Sequence, residues 1–540
     1  MKKLLSDKRS SLFPIILLAT WIVAALLVNP LGDFPLNDDF AFGRTVFNLT
    51  EKKQLLFDKW LSMTLIAQVF WGGLFCKIAG FSFSVLRVST LVLAFLGLLS
   101  FFRIARELGQ TPVVSFWVTA LLAFNPLFFS LSFTFMSDVP FASTMIMSIL
   151  FFILFFKRKA LVWLGLATCL AFLATFIRQL GLMLPASFAL VWMFCGKLDG
   201  KRISMAFAPL IIIGTALMFY QHWFEATQGL PDTYGTFSKL FNRVGHATFL
   251  QECLERIGML LIYMGLFFAP VSFLLMKKTF SVVQWIVSAF FIAFGLWAML
   301  SIWDRFPWGN TLYNIGLGPK LLKDGYFFIN VSPTLPTEGI RAVSIIGVAC
   351  GILLIINTIQ VIAKRWPGPG PLLNIRLFIL INILLYGGFL MLDTHFFDRY
   401  FIPLLPFTIL LLLTQQVNIS RKWVAISFAL FTMVIMGVFS IAATHDYMSW
   451  NRARWEALDH LTHKAGISPN QIDGGFEFNG WHRPIPGRVY DTQKSWWWVD
   501  REDYVVSFGD LGGFRKIKAF SYPTYLPPKM DSLFILKKLE

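Results

Sequence analysis

What most constrains this chain is a succession of apolar segments, each long enough to cross a bilayer, separated by short polar turns. They lie at roughly 11–29, 84–102, 112–131, 139–156, 160–177, 180–195, 203–220, 257–275, 281–303, 342–363, 372–391, 401–417 and 423–443, about thirteen in all. Of 540 residues 56% are hydrophobic and only 14% charged, too few charges for a soluble fold to cover so much apolar surface. The 59 Phe and 19 Trp suit lipid-facing and interfacial positions. The expected fold class is an all-α polytopic membrane protein. A further apolar stretch, roughly 60–81, is interrupted by Gly72, Gly73, Lys77 and Gly80 and reads as a membrane-dipping or interfacial segment.

The formal charge of +17 does not point to nucleic acid, because the basic residues fall in small clusters between apolar runs. On the thirteen-helix count the clusters Lys2/Lys3/Lys8/Arg9, Arg103/Arg106, Lys157/Arg158/Lys159, Lys197/Lys201/Arg202, Lys277/Lys278, Lys364/Arg365 and Arg421/Lys422 share one side. By the positive-inside rule that side is cytoplasmic, which places the N-terminus inside and the C-terminus outside. The first apolar run is long and lacks a small-residue cleavage site, so it reads as an uncleaved membrane helix. The five cysteines are scattered and imply neither a disulfide framework nor a CxxC metal site.

The outer side then receives the loop 30–83, the loops 221–256 and 304–341, and a tail, 444–540. Within the first loop, Phe42 to Trp60 mixes apolar residues at helical spacing with Arg44, Glu51, Lys52, Lys53 and Lys59, as an interfacial helix would. The composition changes at Thr444, which suggests a transmembrane domain over 1–443 and a small extracytoplasmic α+β domain over 444–540. Tyr447–Lys464 reads as an amphipathic helix. Strand-like runs follow around Gln471–Phe478, Tyr504–Phe508, Lys516–Ser521 and Leu533–Leu536. Trp496-Trp497-Trp498 reads as packing or lipid contact ahead of sugar stacking.

Polar residues able to carry chemistry concentrate in the outer turns. Asp38 and Asp39 follow the first span. Adjacent residues in an extended loop point opposite ways, so one carboxylate can face a cleft while its neighbour binds backbone, a cation or another loop, or caps the next helix. Asp138 precedes Val139-Pro140 at a helix start, an ordinary capping arrangement. Arg178-Gln179 lies between two spans, where a planar donor fork suits a phosphate and a snorkelling arginine is the plain alternative. Asp393-Thr394-His395-Phe396-Phe397-Asp398-Arg399-Tyr400 gathers His, Asp, Arg and Tyr in one turn, with Asp398 as one partner for Arg399.

Asn37-Asp38-Asp39-Phe40-Ala41-Phe42-Gly43-Arg44, Ser137-Asp138-Val139-Pro140, Arg178-Gln179 and Arg399-Tyr400-Phe401-Ile402-Pro403 occur here in an order and spacing that resembles the bacterial GT-C glycosyltransferases. That superfamily contains the protein O-mannosyltransferases and the lipid A aminoarabinose transferases. The resemblance runs from the first helix to about residue 410. It implies a GT-C fold in the bacterial inner membrane and transfer of a sugar from a polyprenyl phosphate to a glycan, lipid or protein acceptor on the outer face, commonly with inversion. Carried over, Asp38 is the base for the acceptor hydroxyl. Asp39 stands where many relatives have Glu, and Asp138 helps to bind acceptor or cation. Arg178 and Arg399 face the lipid phosphate, with Gln179, His395, Tyr400 and Lys59 as further substrate-binding candidates. Asp38, Asp39 and Asp138 are the residues that could hold a divalent cation, magnesium or manganese, if one is used. The competing reading is a transporter or flippase of a lipid-linked sugar, which places ionisable groups near the bilayer midplane.

Overall fold

The computed structural model describes residues 2–196, 199–229, 231, 244–275, 282–302, 306–313, 315–323, 335–363, 367–393, 396–415, 423–482, 499 and 501–539. His395 and Trp496–Trp498 lie outside them. The described chain is a helical bundle, interrupted by a short hairpin of β1 (Leu312–Tyr313) and β2 (Gly316–Leu317), and followed by a small sheet. Its helices are α1 (Lys2–Val28), α2 (Asp39–Thr50), α3 (Ile66–Ala79), α4 (Phe83–Glu107), α5 (Pro112–Ala123), α6 (Pro126–Leu131), α7 (Asp138–Arg158), α8 (Leu161–Thr175), α9 (Met183–Phe194), α10 (Gly200–Gln228), α11 (Phe249–Ser272), α12 (Val282–Ile302), α13 (Thr337–Ala363), α14 (Pro371–Leu392), α15 (Leu404–Leu413), α16 (Trp423–Asp459) and α17 (Phe476–His482).

Seven of the described helices are long and apolar enough to cross a membrane, and several shorter apolar helices stand among them. The perimeter carries Ile78, Phe194, Met218, Phe219 and Trp423 largely exposed, which only lipid makes tolerable. This is a multi-pass membrane protein. Helix α7 is the most enclosed of the long helices; Phe141 and Phe152 on it, and Phe128, Phe129, Phe133 and Phe135 before it, are among the fully buried side chains. Helices α11 and α13 cross at backbone contact: a Cβ on Gly265 would lie 1.8 Å from the Gly347 carbonyl oxygen and 2.5 Å from the Gly351 nitrogen. Small residues let membrane helices approach this closely.

Four elements differ from the sequence expectation. The run 112–131 is split into α5 and α6, because Pro126 cannot continue a helix and the Asn125 carboxamide oxygen accepts the Leu127 and Phe128 amides instead. The interfacial helix expected over 42–60 ends at Thr50, and residues 51–65 are irregular. The helix expected to start at Tyr447 is the uninterrupted continuation of α16, which leaves the apolar region and runs on to Asp459. The run 471–478 holds only the two-residue strand β3 (Ile472–Asp473) before turning into α17. The other strand-like runs become β4 (Tyr504–Ser507), β5 (Phe514–Tyr525) and β6 (Pro528–Lys538). The sheet order is β3-β4-β6-β5, with β3 parallel to β4 and the rest antiparallel, and β5 lies against α16.

Candidate active site

The four charged turns singled out in the sequence meet at one end of the bundle. The first loop is laced to the end of α8: Leu65 N–H donates to Ile177 O (3.0 Å), Ala67 N–H to Phe176 O (3.0 Å) and the Thr64 hydroxyl to Thr175 O (2.8 Å). The Gln68 carboxamide donates to Phe135 O at 2.6 Å, tying the same loop to the turn before α7. These contacts set Arg178, which has extended backbone just before a short 3-10 turn (Gln179–Leu182), beside the start of α7.

Asp39 is completely buried and does not cap its own helix. Both its oxygens accept the Phe135 amide at 3.0 Å, so it joins the first loop to the second. Burial pushes its carboxyl up to about 8, against the pull of the Phe135 amide and the nearby Arg87 charge. Arg87, fully buried on α4, donates to the carbonyls of Pro30, Gly32 and Phe34 and so shapes the approach to Asp38.

Asp38 precedes α2 without a side-chain cap and turns its carboxylate the other way. One oxygen accepts the Trp60 indole N–H at 2.9 Å; the other lies 3.4 Å from both terminal nitrogens of Arg399. Asp138, at the first position of α7, pairs instead with Arg178 at 2.8 Å, and Arg178 Nε donates to the Ser137 hydroxyl at 2.9 Å. Tyr400 lies between the two cations, its ring centroid 5.8 Å from each guanidinium. Of the four charged side chains Asp38 is the most open, 16% exposed against 9% for either arginine and 1% for Asp138.

Asp398 does not neutralise Arg399. Its carboxylate accepts the amides of Thr311, Leu312 (2.6 Å) and Arg399 (2.8 Å), which fixes the turn, and burial raises it to about 7 against those bonds. The Arg399 guanidinium is thereby left to reach Asp38. Tyr386 donates to the Tyr400 carbonyl at 2.9 Å. Gln179 is half-buried, and its buried Nε2 has no hydrogen-bond partner among the described residues. Lys59 is exposed and makes none of the described contacts of this cluster. Among the described residues no three His, Cys, Asp or Glu converge as metal ligands, so Asp38, Asp39 and Asp138 do not form one donor set.

Two contributors escaped the sequence reading. Trp60, placed there at the end of an interfacial helix, binds Asp38 directly. Helix α17 of the tail also touches the first loop: Arg44, paired with Asp58, donates to the carbonyls of Gly480 and Trp481, and Glu477 accepts the Asn37 amide at 2.9 Å.

Residues 68–223 match the family model of dolichyl-phosphate-mannose-protein mannosyltransferases, a segment that contains Asp138 and Arg178. Among curated proteins no sequence matches. Similar solved structures include the archaeal oligosaccharyltransferase AglB from Archaeoglobus fulgidus in complex with an inhibitory peptide and a dolichol-phosphate (TM-score 0.42, 14% identity, covering 87% of this chain and 60% of that one). Another is ArnT from Cupriavidus metallidurans bound to undecaprenyl phosphate (TM-score 0.42, 12% identity, 97% of each chain). The chain thus spans 60% of the length of the archaeal protein. At these scores and identities the likeness is too distant to carry residue roles.

Proposed function

We propose that this chain, a membrane glycosyltransferase of the family matched by residues 68–223, transfers a sugar from a polyprenyl phosphate to a hydroxyl of a cell-envelope glycan, lipid or protein. The reaction takes place on the outer face of the inner membrane by a single displacement with inversion. The observation that carries this reading is the pairing of one partly open carboxylate with Arg399 beside the closed Arg178–Asp138 pair.

Asp38 takes the proton of the acceptor hydroxyl as its oxygen bonds to the anomeric carbon. The bond from that carbon to the phosphate oxygen breaks, and its electron pair leaves with the lipid phosphate. Positive charge placed where the phosphate gains electrons lowers the barrier, and Arg399 and Arg178 supply it. Tyr400 and the free carboxamide nitrogen of Gln179 orient the donor. Asp38 and Asp138 each face a guanidinium and Asp39 is taken up by the Phe135 amide, so among the described residues the site offers a divalent cation no cluster of unengaged oxygens. A cation, if used, would share Asp38 or Asp138 with its arginine or displace it.

Turnover of a radiolabelled polyprenyl-phosphate sugar panel by purified protein, with membrane extract as acceptor source, tests the reading. Wild type consumes a donor and Asp38→Asn, equally folded, does not. Equal consumption by both proteins would remove Asp38 as the base. Movement of the lipid between leaflets without consumption would favour a transporter.

A further inference from the structure

Arg454 on α16 and Glu477 on α17 form an ion pair at 2.7 Å, both side chains 0% exposed. Arg454 is also anchored on its own side: Nε donates to Gly474 O at 2.8 Å and Nη1 reaches the Asn451 carboxamide at 3.3 Å. One Glu477 oxygen faces Arg454. The other accepts the backbone N–H of Asn37, the residue before Asp38. Asn37 has φ 56°, in the left-handed region that asparagine adopts more readily than other side-chain-bearing residues.

Helix α17 fits against this loop without slack. Phe476 packs edge-on against Phe40 at 5.1 Å and against Trp60 at 6.2 Å, and Trp60 donates to Asp38. A Cβ on Gly480 would meet the Phe40 ring at 2.7 Å. One on Gly475, already at φ 85°, would meet Leu321 O at 2.5 Å and an Arg454 nitrogen at 2.8 Å. A buried ion pair is commonly no more stabilising than an apolar pair of the same volume, so stability alone gives no reason for one here. A carboxylate whose second oxygen holds the backbone beside the reacting group does give one.

We propose that Glu477, oriented by Arg454, is a positioning residue: it holds the Asn37 amide and so sets the direction of the Asp38 carboxylate. The proposal rests on the reading of Asp38 as the base. Displacement of a reacting group by about 1 Å costs on the order of a hundredfold in rate. The tail is then part of the catalytic apparatus, although no described hydrogen bond or ion pair joins it to the four charged side chains.

Two double variants test it in full-length detergent-solubilised protein, each removing both charges. Glu477→Leu with Arg454→Met removes the acceptor for Asn37. Glu477→Gln with Arg454→Gln keeps an oxygen there. The readouts are kcat and KM with polyprenyl-phosphate sugar donors, beginning with the mannose lipid, and binding of polyprenyl phosphate itself. The Leu/Met variant is expected to lose roughly tenfold to a hundredfold in kcat with lipid affinity and thermal midpoint little changed, while the Gln/Gln variant keeps most of its turnover. In an Asp38→Asn background the Leu/Met change adds little further loss, because it acts through Asp38. Turnover of the Leu/Met variant near that of wild type, or equal losses in both double variants that follow the loss of folded protein, would overturn the proposal. If Asp38→Asn alone stays active, the base reading fails. If it is inactive while Leu/Met is active, only the positioning role fails.

Discussion

Replacing Arg178 by Gln separates its pairing with Asp138 from the role proposed for it opposite the leaving phosphate. The guanidinium lies 2.8 Å from a carboxylate only 1% exposed. At that distance the attraction is about 6 kcal/mol for an effective dielectric constant near 20, most of it offset by the desolvation of both ions. Removing one partner exposes the uncompensated cost of the other, and stranding Asp138 should lower stability by about 3–5 kcal/mol. Loss of a cation aimed at the leaving phosphate should lower kcat by about a hundredfold to a thousandfold. Adding Asp138→Asn removes the stranded charge. Thermal unfolding in detergent, read alongside donor turnover, should show the double variant recovering most of the stability and almost none of the rate. If the double variant recovers wild-type turnover, Arg178 serves only to neutralise Asp138, and its place opposite the phosphate is wrong.

Asp39 gives a pH-dependent counterpart. Its folded-state carboxyl titrates at about 8, above the usual carboxylate range, so its contribution is fully present at low pH and is lost as pH rises through about 8. The thermal midpoint of wild type should therefore fall relative to that of Asp39→Asn between about pH 4 and pH 8 and run parallel to it above. Parallel midpoints throughout that window would show that Asp39 is not held as the neutral acid. Chelation tests the guanidinium pairing of the carboxylates: donor turnover should be unchanged by excess EDTA and by added magnesium or manganese. Loss on chelation with recovery on metal would mean that a cation shares these carboxylates with an arginine or displaces it in the working enzyme.

The membrane class was legible because it is a bulk property. A run of twenty apolar residues reads the same wherever it packs. What could not be read were interruptions decided by single residues: Asn125-Pro126 ends α5 in the middle of an apolar run, and Phe476-Glu477-Phe478 mimics alternation while forming a helix. The four charged side chains were visible because ionisable groups are rare beside apolar segments and therefore stand out. Their partners were not. Asp398 sits next to Arg399 in sequence yet spends its oxygens on backbone amides, and the partner of Arg399 is 361 positions away at Asp38. Trp60 and Glu477 carried no signal of their own, since an aromatic in an interfacial segment and a glutamate in a polar tail are both unremarkable until the chain is folded.

The pairing of the charges bears on how the proposed reaction is timed. Before substrate binds, two carboxylates and two guanidinia balance, and the site holds no excess charge for a lipid phosphate to exploit. The two pairs differ, however, in tightness: Arg178 meets Asp138 at 2.8 Å, whereas both terminal nitrogens of Arg399 stand 3.4 Å from one Asp38 oxygen. The looser pair is the one whose carboxylate takes the proton in the proposed reaction. When Asp38 is protonated it no longer offsets Arg399, which Asp138 also attracts, and more of the positive charge becomes available as the leaving phosphate gains its own. The same proton transfer that activates the acceptor thus frees the cation for the leaving group. Such coupling needs a carboxylate that is charged in the resting site and within reach of an arginine but not clamped to it. Asp39, held on the Phe135 amide, and Asp138, closed on Arg178, both lack that freedom.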